Sequence, residues 1–508
     1  MITGKNYIGN KLSAKGNISH KTINPKLNIE NATEFIEAVT EEIDEAAQLA
    51  TEAFKTFRKT PGKQRAKFLN AIADEILALD QKLIDVYTTE SGLPEGRAVG
   101  ERGRTVMQLK SFANLISSED WKSNTFDAAM PDRTPLPKDD LRKTVIPIGP
   151  VVVFGASNFP FAFSAAGGDT ASALASGCPV IVKAHEMHSG TSELVATAIL
   201  KAAEKTGMPN GVFSHLSGRG PVVGLALVNH PQIKAVGFTG SLAAGRAIMD
   251  AASKRKEPIP VYAEMGSINP VIITPKAIET RGEALASTYA GSITVGTGQF
   301  CTNPGLLLTI ANDKTDAFVK DLAKKTIAID AQCMLHPNIK AGFDKNGTAV
   351  ATQKGVETVA KISDAIDANF AASQIVTVSG ADFLANPKIH QEVFGPFSLV
   401  VKCKDEAQLI EIIETLEGQL TGTIIAEDSE ISNLEDIVDA LANRVGRIIF
   451  NGVPTGVEVC PSMQHGGPYP ASSNAKYTSV GTHAINRWVR PISYQSFPKQ
   501  LLPEGLQK

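Results

Sequence analysis

Between residues 147 and 265, short apolar runs alternate with helical stretches, and this alternation limits the fold more than any other feature of the chain. Runs at 151–154, 179–182, 212–215, 233–238 and 261–265 read as buried strands. Stretches at 162–175, 189–205, 221–228 and 241–252 read as the helices between them. Apolar strands separated by helices require a parallel sheet covered on both faces. Ligands of such sheets sit at the carboxyl ends of the strands. The pattern continues over 267–450, with strands expected at 271–273, 306–310, 375–378, 398–401, 421–425 and 447–450. At 508 residues the chain is too long for one ordinary core, so two doubly wound α/β domains are expected.

The flanks differ. Residues 1–30 are polar and turn-rich, and read as a surface lead-in. Over 33–118 the pattern is helical: Phe35, Val39, Ile43, Ala46, Ala50 and Phe54 recur near a 3.6 period, Pro61 opens a second helix, and Gly92-Leu93-Pro94 precedes a third over 97–116. Residues 122–143 hold Pro131, Pro135 and Pro137 among many charges, which fits a projecting strand arm or hairpin; an unstructured linker is the alternative. A strand-like run at 488–494 is a candidate partner for that arm.

A net charge of -3 argues against a nucleic-acid or anionic-membrane partner, and no apolar run reaches the ~20 residues of a membrane span. The first residues lack the apolar core of a secretory signal. The five cysteines have no paired spacing, which suits a reducing compartment; cytoplasm is the expected location. His185 and His188 have no third ligand nearby in sequence, so no metal is expected.

Several stretches carry chemistry. Cys301 lies in Gly298-Gln299-Phe300-Cys301-Thr302-Asn303-Pro304-Gly305, between a helical pattern and a strand. Glycines there let the backbone approach a ligand, and a nucleophilic thiol needs access, a base and oxyanion donors. Asn158-Phe159-Pro160 follows one strand end and supplies an amide donor. Lys183 and Glu186 follow another, placed for ribose hydroxyls. Gly240-Ser241 leads into a helix containing Gly245, a turn that can hold an anion at a helix N-terminus. Glu264 ends the 261–265 strand; among apolar neighbours its pKa is expected to rise, suiting a base. Glu392 and Phe394 sit in a Pro/Gly turn, and His465 in a glycine loop, where it could touch a thiolate or an acidic substrate or stand as a solvated loop histidine.

Taken in order, Asn158, Lys183, the turn from Gly240 to Gly245, Glu264, Cys301 and the 392–397 segment resemble the aldehyde dehydrogenase superfamily over about residues 20–500. The resemblance implies an NAD(P)-binding domain (1–122 and 144–266), a catalytic domain (267–465) and an oligomerisation arm (123–143 and 485–508). It implies Cys301 as nucleophile, Asn158 with the Cys301 N–H as oxyanion donors, and Glu264 as the base that activates the hydrolytic water. Lys183 and Glu186 would hold the adenosine ribose, Glu392 the nicotinamide ribose, and Phe394 would pack by the nicotinamide. Phe159 and His465 are the substrate-site candidates. Glu186 accepts from the 2′-OH of NAD and repels a 2′-phosphate, so NAD is expected ahead of NADP.

The chain departs from the commonest pattern at Met265-Gly266-Ser267. With Asn158-Phe159-Pro160-Phe161 and Gln464-His465-Gly466-Gly467-Pro468, this looks like a branch holding 2,5-dioxopentanoate dehydrogenases and long-chain fatty aldehyde dehydrogenases. The first implies oxidation of 2,5-dioxopentanoate to 2-oxoglutarate, by a homodimer or homotetramer. The rivals are fatty aldehyde oxidation, transfer of the acyl group to CoA, and a catalytically silent scaffold of the same fold. Intact Glu264 and Cys301 argue against the last two.

Overall fold

The computed structural model describes residues 2–362 and 367–507. Among the described residues, the first sheet has the strand order Val261–Glu264, Ala235–Thr239, Val151–Phe154, Val180–Lys183, Phe213–Leu216, Asn6–Ile8, Lys11–Ser13. Its first five strands are parallel. Val151–Phe154 and Val180–Lys183 are buried along their whole length, as strands covered on both faces must be.

The second sheet runs Glu357–Lys361, Gln374–Ser379, Phe397–Cys403, Leu306–Ile310, Pro270–Ile273, Gln419–Ile425, Val445–Phe450. All its pairings are parallel except that of the Glu357–Lys361 edge. This is the two-sheet α/β architecture that the apolar alternation predicts. A small antiparallel sheet joins Thr125–Asp127, Leu141–Pro147 and Val489–Gln495, so part of the 122–143 stretch is a strand arm and it pairs with the late strand.

The structure corrects several expectations. The polar N-terminal lead-in is not a loose surface segment. Asn6–Ile8 is buried and pairs antiparallel to Phe213–Leu216. Its polarity is satisfied internally, because Asn6 Oδ1 accepts from Ser217 N at 2.8 Å. Phe35 lies in the strand Ile29–Ile36, and the first helix begins at Thr40. Asp80, at φ 46°, separates Gly62–Leu77 from an unforeseen helix, Asp80–Ser91. The helix expected from residue 162 starts only at Gly168. Glu101 Oε1 takes the Phe161 and Ala162 N–H groups at 2.8 and 3.0 Å, so that segment stays a loop.

The chain crosses back after the second sheet. Ala263 N donates to Ser473 Oγ (2.9 Å), Met265 N to Ala471 O (2.8 Å) and Ser473 N to Ala263 O (2.9 Å). The segment around 465–479 therefore closes onto the strand that ends in Glu264.

Candidate active site

Cys301 sits just past a backbone built to hold it. The helix Pro275–Thr294 is capped by Thr274, whose Oγ1 accepts from Ala277 N, and has proline in its first turn. It gives way to the turn Val295–Gly298, where Gly296, Thr297 and Gly298 have φ of 57°, 59° and 63°. Thr297 is the costly one, since a β-branched residue rarely enters the left-handed region. Its Oγ1 donates to Cys333 O at 3.0 Å. Gly298 must be glycine: a Cβ there would overlap the Gly395 carbonyl.

Side-chain amides fix the nucleophile loop. Asn269 Nδ2 donates to both Cys301 O and Asn303 O at 2.9 Å. Asn303 Nδ2 donates to Gly395 O at 3.2 Å, and Leu335 N donates to Gln299 Oε1 at 3.0 Å. Asn269 is itself held, its Oδ1 accepting from Thr421 Oγ1 at 3.0 Å.

Three reactive side chains meet here. Cys301 Sγ is 3.5 Å from His465 Nε2, and that nitrogen is 3.0 Å from Glu264 Oε1. Glu264 and His465 are buried. Ser479 Oγ donates to Glu264 Oε2 at 2.7 Å. Burial, then the charge of Glu264, pushes the Cys301 thiol well above its ordinary value. Burial also works to raise Glu264, but His465, Ser479 and Cys301 together outweigh it, and the carboxyl is held below its usual range. This corrects the expected rise: the surroundings of Glu264 are polar, not apolar. The resting site is a thiol facing a carboxylate, so the Glu264 carboxyl is ionised before the Cys301 thiol is.

Asn158 Nδ2 donates to Gln299 O at 3.1 Å, which places its amide beside the Cys301 loop. Phe159 and Phe300 meet edge to face at 5.6 Å, with Arg97 4.5 and 4.6 Å from their ring centres. Phe163 lies between Phe159 and His465, 5.5 and 6.3 Å from them.

The coenzyme candidates occupy the carboxyl ends of the first sheet and the facing turn of the second. Lys183 is buried, with Nζ 3.4 Å from Glu186 Oε2, and burial lowers its pKa. Glu186 Oε1 accepts from Gly220 N at 3.2 Å. Three strand spacings separate the strand of Lys183 from that of Glu264, roughly 14 Å, a span suited to a dinucleotide. Gly240 and Ser241 are exposed ahead of Leu242–Ser253, where Ser241 Oγ accepts from Ala244 N. Gly245 packs on Met265, with room for no Cβ. Glu392 lies against Gly266, and burial pushes its carboxyl up to about 7. Phe394, Glu392, Ser267, Gly298 and Phe300 line one cleft. A buried ammonium with one carboxylate partner and a desolvated carboxyl both fit a hydroxyl-rich ligand.

Arg97, Glu101, Arg104, Asn269 and Ser479 belong to the site's surroundings and were not singled out from sequence. The spacing of Arg97, Glu101, Arg104 and Gln108 was a usable signal: it puts four polar side chains on one face of the helix Glu95–Leu115. Asn269 and Ser479 carry no comparable pattern.

Residues 13–490 match the aldehyde dehydrogenase family. The chain belongs to that family and is an aldehyde-oxidising oxidoreductase. It is 49% identical over 478 residues to alpha-ketoglutaric semialdehyde dehydrogenase 2 of Azospirillum brasilense, covering 94% of this chain and 91% of that one. It is 46% identical over 479 residues to alpha-ketoglutaric semialdehyde dehydrogenase of Acinetobacter baylyi, covering 93% and 90%. Among solved structures, betaine aldehyde dehydrogenase from Staphylococcus aureus in complex with NAD+ matches with a TM-score of 0.82 at 20% identity, over 98% of this chain and 95% of that one. Proline utilization A from Bdellovibrio bacteriovorus matches with a TM-score of 0.81 at 24% identity, over 97% of this chain but only 49% of that one.

Proposed function

We propose that the chain oxidises 2,5-dioxopentanoate to 2-oxoglutarate with NAD, through a thiohemiacetal and then a thioester on Cys301. The observation that carries this reading is the contact of Cys301 Sγ, His465 Nε2 and Glu264 Oε1, beside the high identity to two alpha-ketoglutaric semialdehyde dehydrogenases.

Cys301 attacks the aldehyde carbon, and its proton leaves toward Glu264, which is held ionised and lies within 4.8 Å of the thiol. Asn158 Nδ2 and the Cys301 N–H stabilise the oxyanion. Lys183 and Glu186 hold the adenosine ribose, Gly240 and Ser241 face the pyrophosphate, and Glu392 holds the nicotinamide ribose beside Phe394. When bound, NAD supplies the two-electron acceptor. Glu264 gives the thiol proton up to solvent. Once the adduct is a thioester, Glu264 takes the proton of the attacking water, the carboxylic acid leaves as the Cys301 thiolate is freed, and His465 steadies the Glu264 carboxylate. A buried base beside the thiol supports hydrolysis rather than transfer to CoA.

The rest of the chain divides as NAD(P)-binding (1–122 and 144–266), catalytic (267–465) and arm (123–143 and 485–508) segments. The arm exposes Phe126, Met130, Leu136 and Phe497, which supports association of subunits into a homodimer or homotetramer. All five cysteines are free, in keeping with a cytoplasmic enzyme. Among the described residues no helix is long and apolar enough to cross a membrane.

The test is turnover of 2,5-dioxopentanoate with NAD by wild type, Cys301→Ala and Glu264→Gln. Cys301→Ala loses oxidation. Glu264→Gln forms its burst of reduced coenzyme more slowly and then stalls, so steady-state turnover falls further than the burst rate. Turnover by Cys301→Ala, or equal falls in burst and steady-state rates in Glu264→Gln, refutes the mechanism.

A further inference from the structure

The helix Glu95–Leu115 presents Arg97, Glu101, Arg104 and Gln108 to the loop that carries Asn158. Three of the four are occupied. Arg97 is 3.6 Å from Glu101, donates to Asn158 O at 3.4 Å and lies over two phenylalanine rings. Glu101 accepts from Phe161 N, Ala162 N and Tyr87 OH. Gln108 packs at Gly168, where a Cβ would displace it.

Arg104 is the exception. Its Nε and Nη2 are buried and have no hydrogen-bond partner. Its guanidinium lies 5.8 Å from the centre of Phe163, a ring that also neighbours Phe159 and His465. The charged groups whose fields reach it are Glu101, Arg97 and Glu264. Glu101 is the one carboxylate on its own helix face, and its oxygens are already taken. Arg104 as a whole is half-buried, but two buried N–H donors of a cation left without partners are expensive, and a ligand that accepts from both would complete them.

We infer that Arg104 receives the carboxylate of the substrate, and so selects short aldehydes that end in an acid. The inference rests on the proposed reading of Cys301 as nucleophile. A five-carbon acid–aldehyde places its terminal carbons roughly 5 Å apart when extended and closer when bent. That suits a chain lying along Phe163 with its aldehyde at Cys301 and its acid at Arg104. Guanidinium and carboxylate pair through two parallel N–H donors, the arrangement that free Nε and Nη2 provide.

The experiment compares kcat/KM for 5-oxopentanoate and for pentanal, which differ by the acid alone. Wild type favours the acid. Arg104→Met lowers the ratio about 10- to 100-fold, the loss expected for a charge-assisted pair. Arg104→Lys recovers part of it. The ratio is internal to one preparation, so it does not depend on how much of the variant folds. If wild type favours the acid and Arg104→Met keeps the same ratio, the Arg104 assignment is overturned and the substrate proposal stands. If wild type shows no preference, both fall. A second readout needs no turnover: glutarate slows alkylation of Cys301 by iodoacetamide in wild type and not in Arg104→Gln. Equal protection in both proteins overturns the assignment.

Discussion

Ser479→Ala isolates the setting of Glu264, the proposed hydrolytic base. Ser479 Oγ donates to Glu264 Oε2 at 2.7 Å in a buried site, so the alanine removes one hydrogen bond to an ionised carboxylate. Such a bond contributes about 1.5–3 kcal/mol. At about 1.4 kcal/mol per pKa unit, its loss raises the pKa of Glu264 by about 1–2. Wild-type Glu264 is held below the usual carboxylate range, so thioester hydrolysis keeps its ionised base down to low pH. In the variant the acid limb moves up by about 1–2 pH units. The assay is single-turnover hydrolysis of an acyl group loaded on Cys301 from an activated ester, followed from the lowest pH at which the fold persists up to about pH 9. Stability follows the same sign: a depressed carboxyl stabilises the fold above its unfolded pKa, and that contribution fades as pH falls through the folded value. The Tm difference between wild type and variant therefore narrows toward acid pH. An acid limb at the same pH in both proteins refutes the reasoning.

The remaining predictions concern coenzyme and assembly. Glu186→Ser removes the charge that opposes a 2′-phosphate and shifts the kcat/KM ratio toward NADP by about tenfold or more; initial rates with both coenzymes check it, and an unchanged ratio sinks it. Glu392 is pushed up to about 7, and ribose hydroxyls favour its ionised form, so NAD binding tightens as pH rises through about 7 and the coenzyme-free fold loses stability over the same window. Calorimetric titrations from pH 6 to 8 show this slope in wild type and none in Glu392→Gln. Deleting residues 124–142 yields a smaller species in sedimentation; a native-sized assembly would count against the arm.

What could be read in advance follows from how local each signal is. The strands at 151–154 and 180–183 are apolar along their length, and burial on both faces demands that composition. Cys301 and Glu264 stand beside glycines whose spacing is itself constrained, as the overlap at Gly298 shows. Asn6–Ile8 was misread because its polarity is satisfied by a partner 211 positions away, beyond any local pattern. Ser479 looked like any serine in a loop, because its role exists only where Glu264, 215 residues earlier, lies against it. The direction of the Glu264 shift failed for the same reason: its immediate neighbours are apolar, and the groups that govern it arrive from elsewhere.

The return of the 465–479 segment to the strand of Glu264 also sets the order in which the protein becomes reactive during synthesis. Chains are made from the N-terminus at about 5–20 residues per second and fold domain by domain as they emerge. His465 follows Cys301 by 164 positions, so roughly 10–30 s pass between them at that pace. Through that interval the ribosome holds a chain whose thiol and carboxylate are made but whose histidine and Ser479 are not. A chain abandoned before residue 465 therefore lacks His465 and Ser479, two of the groups that hold the Glu264 carboxyl below its usual range.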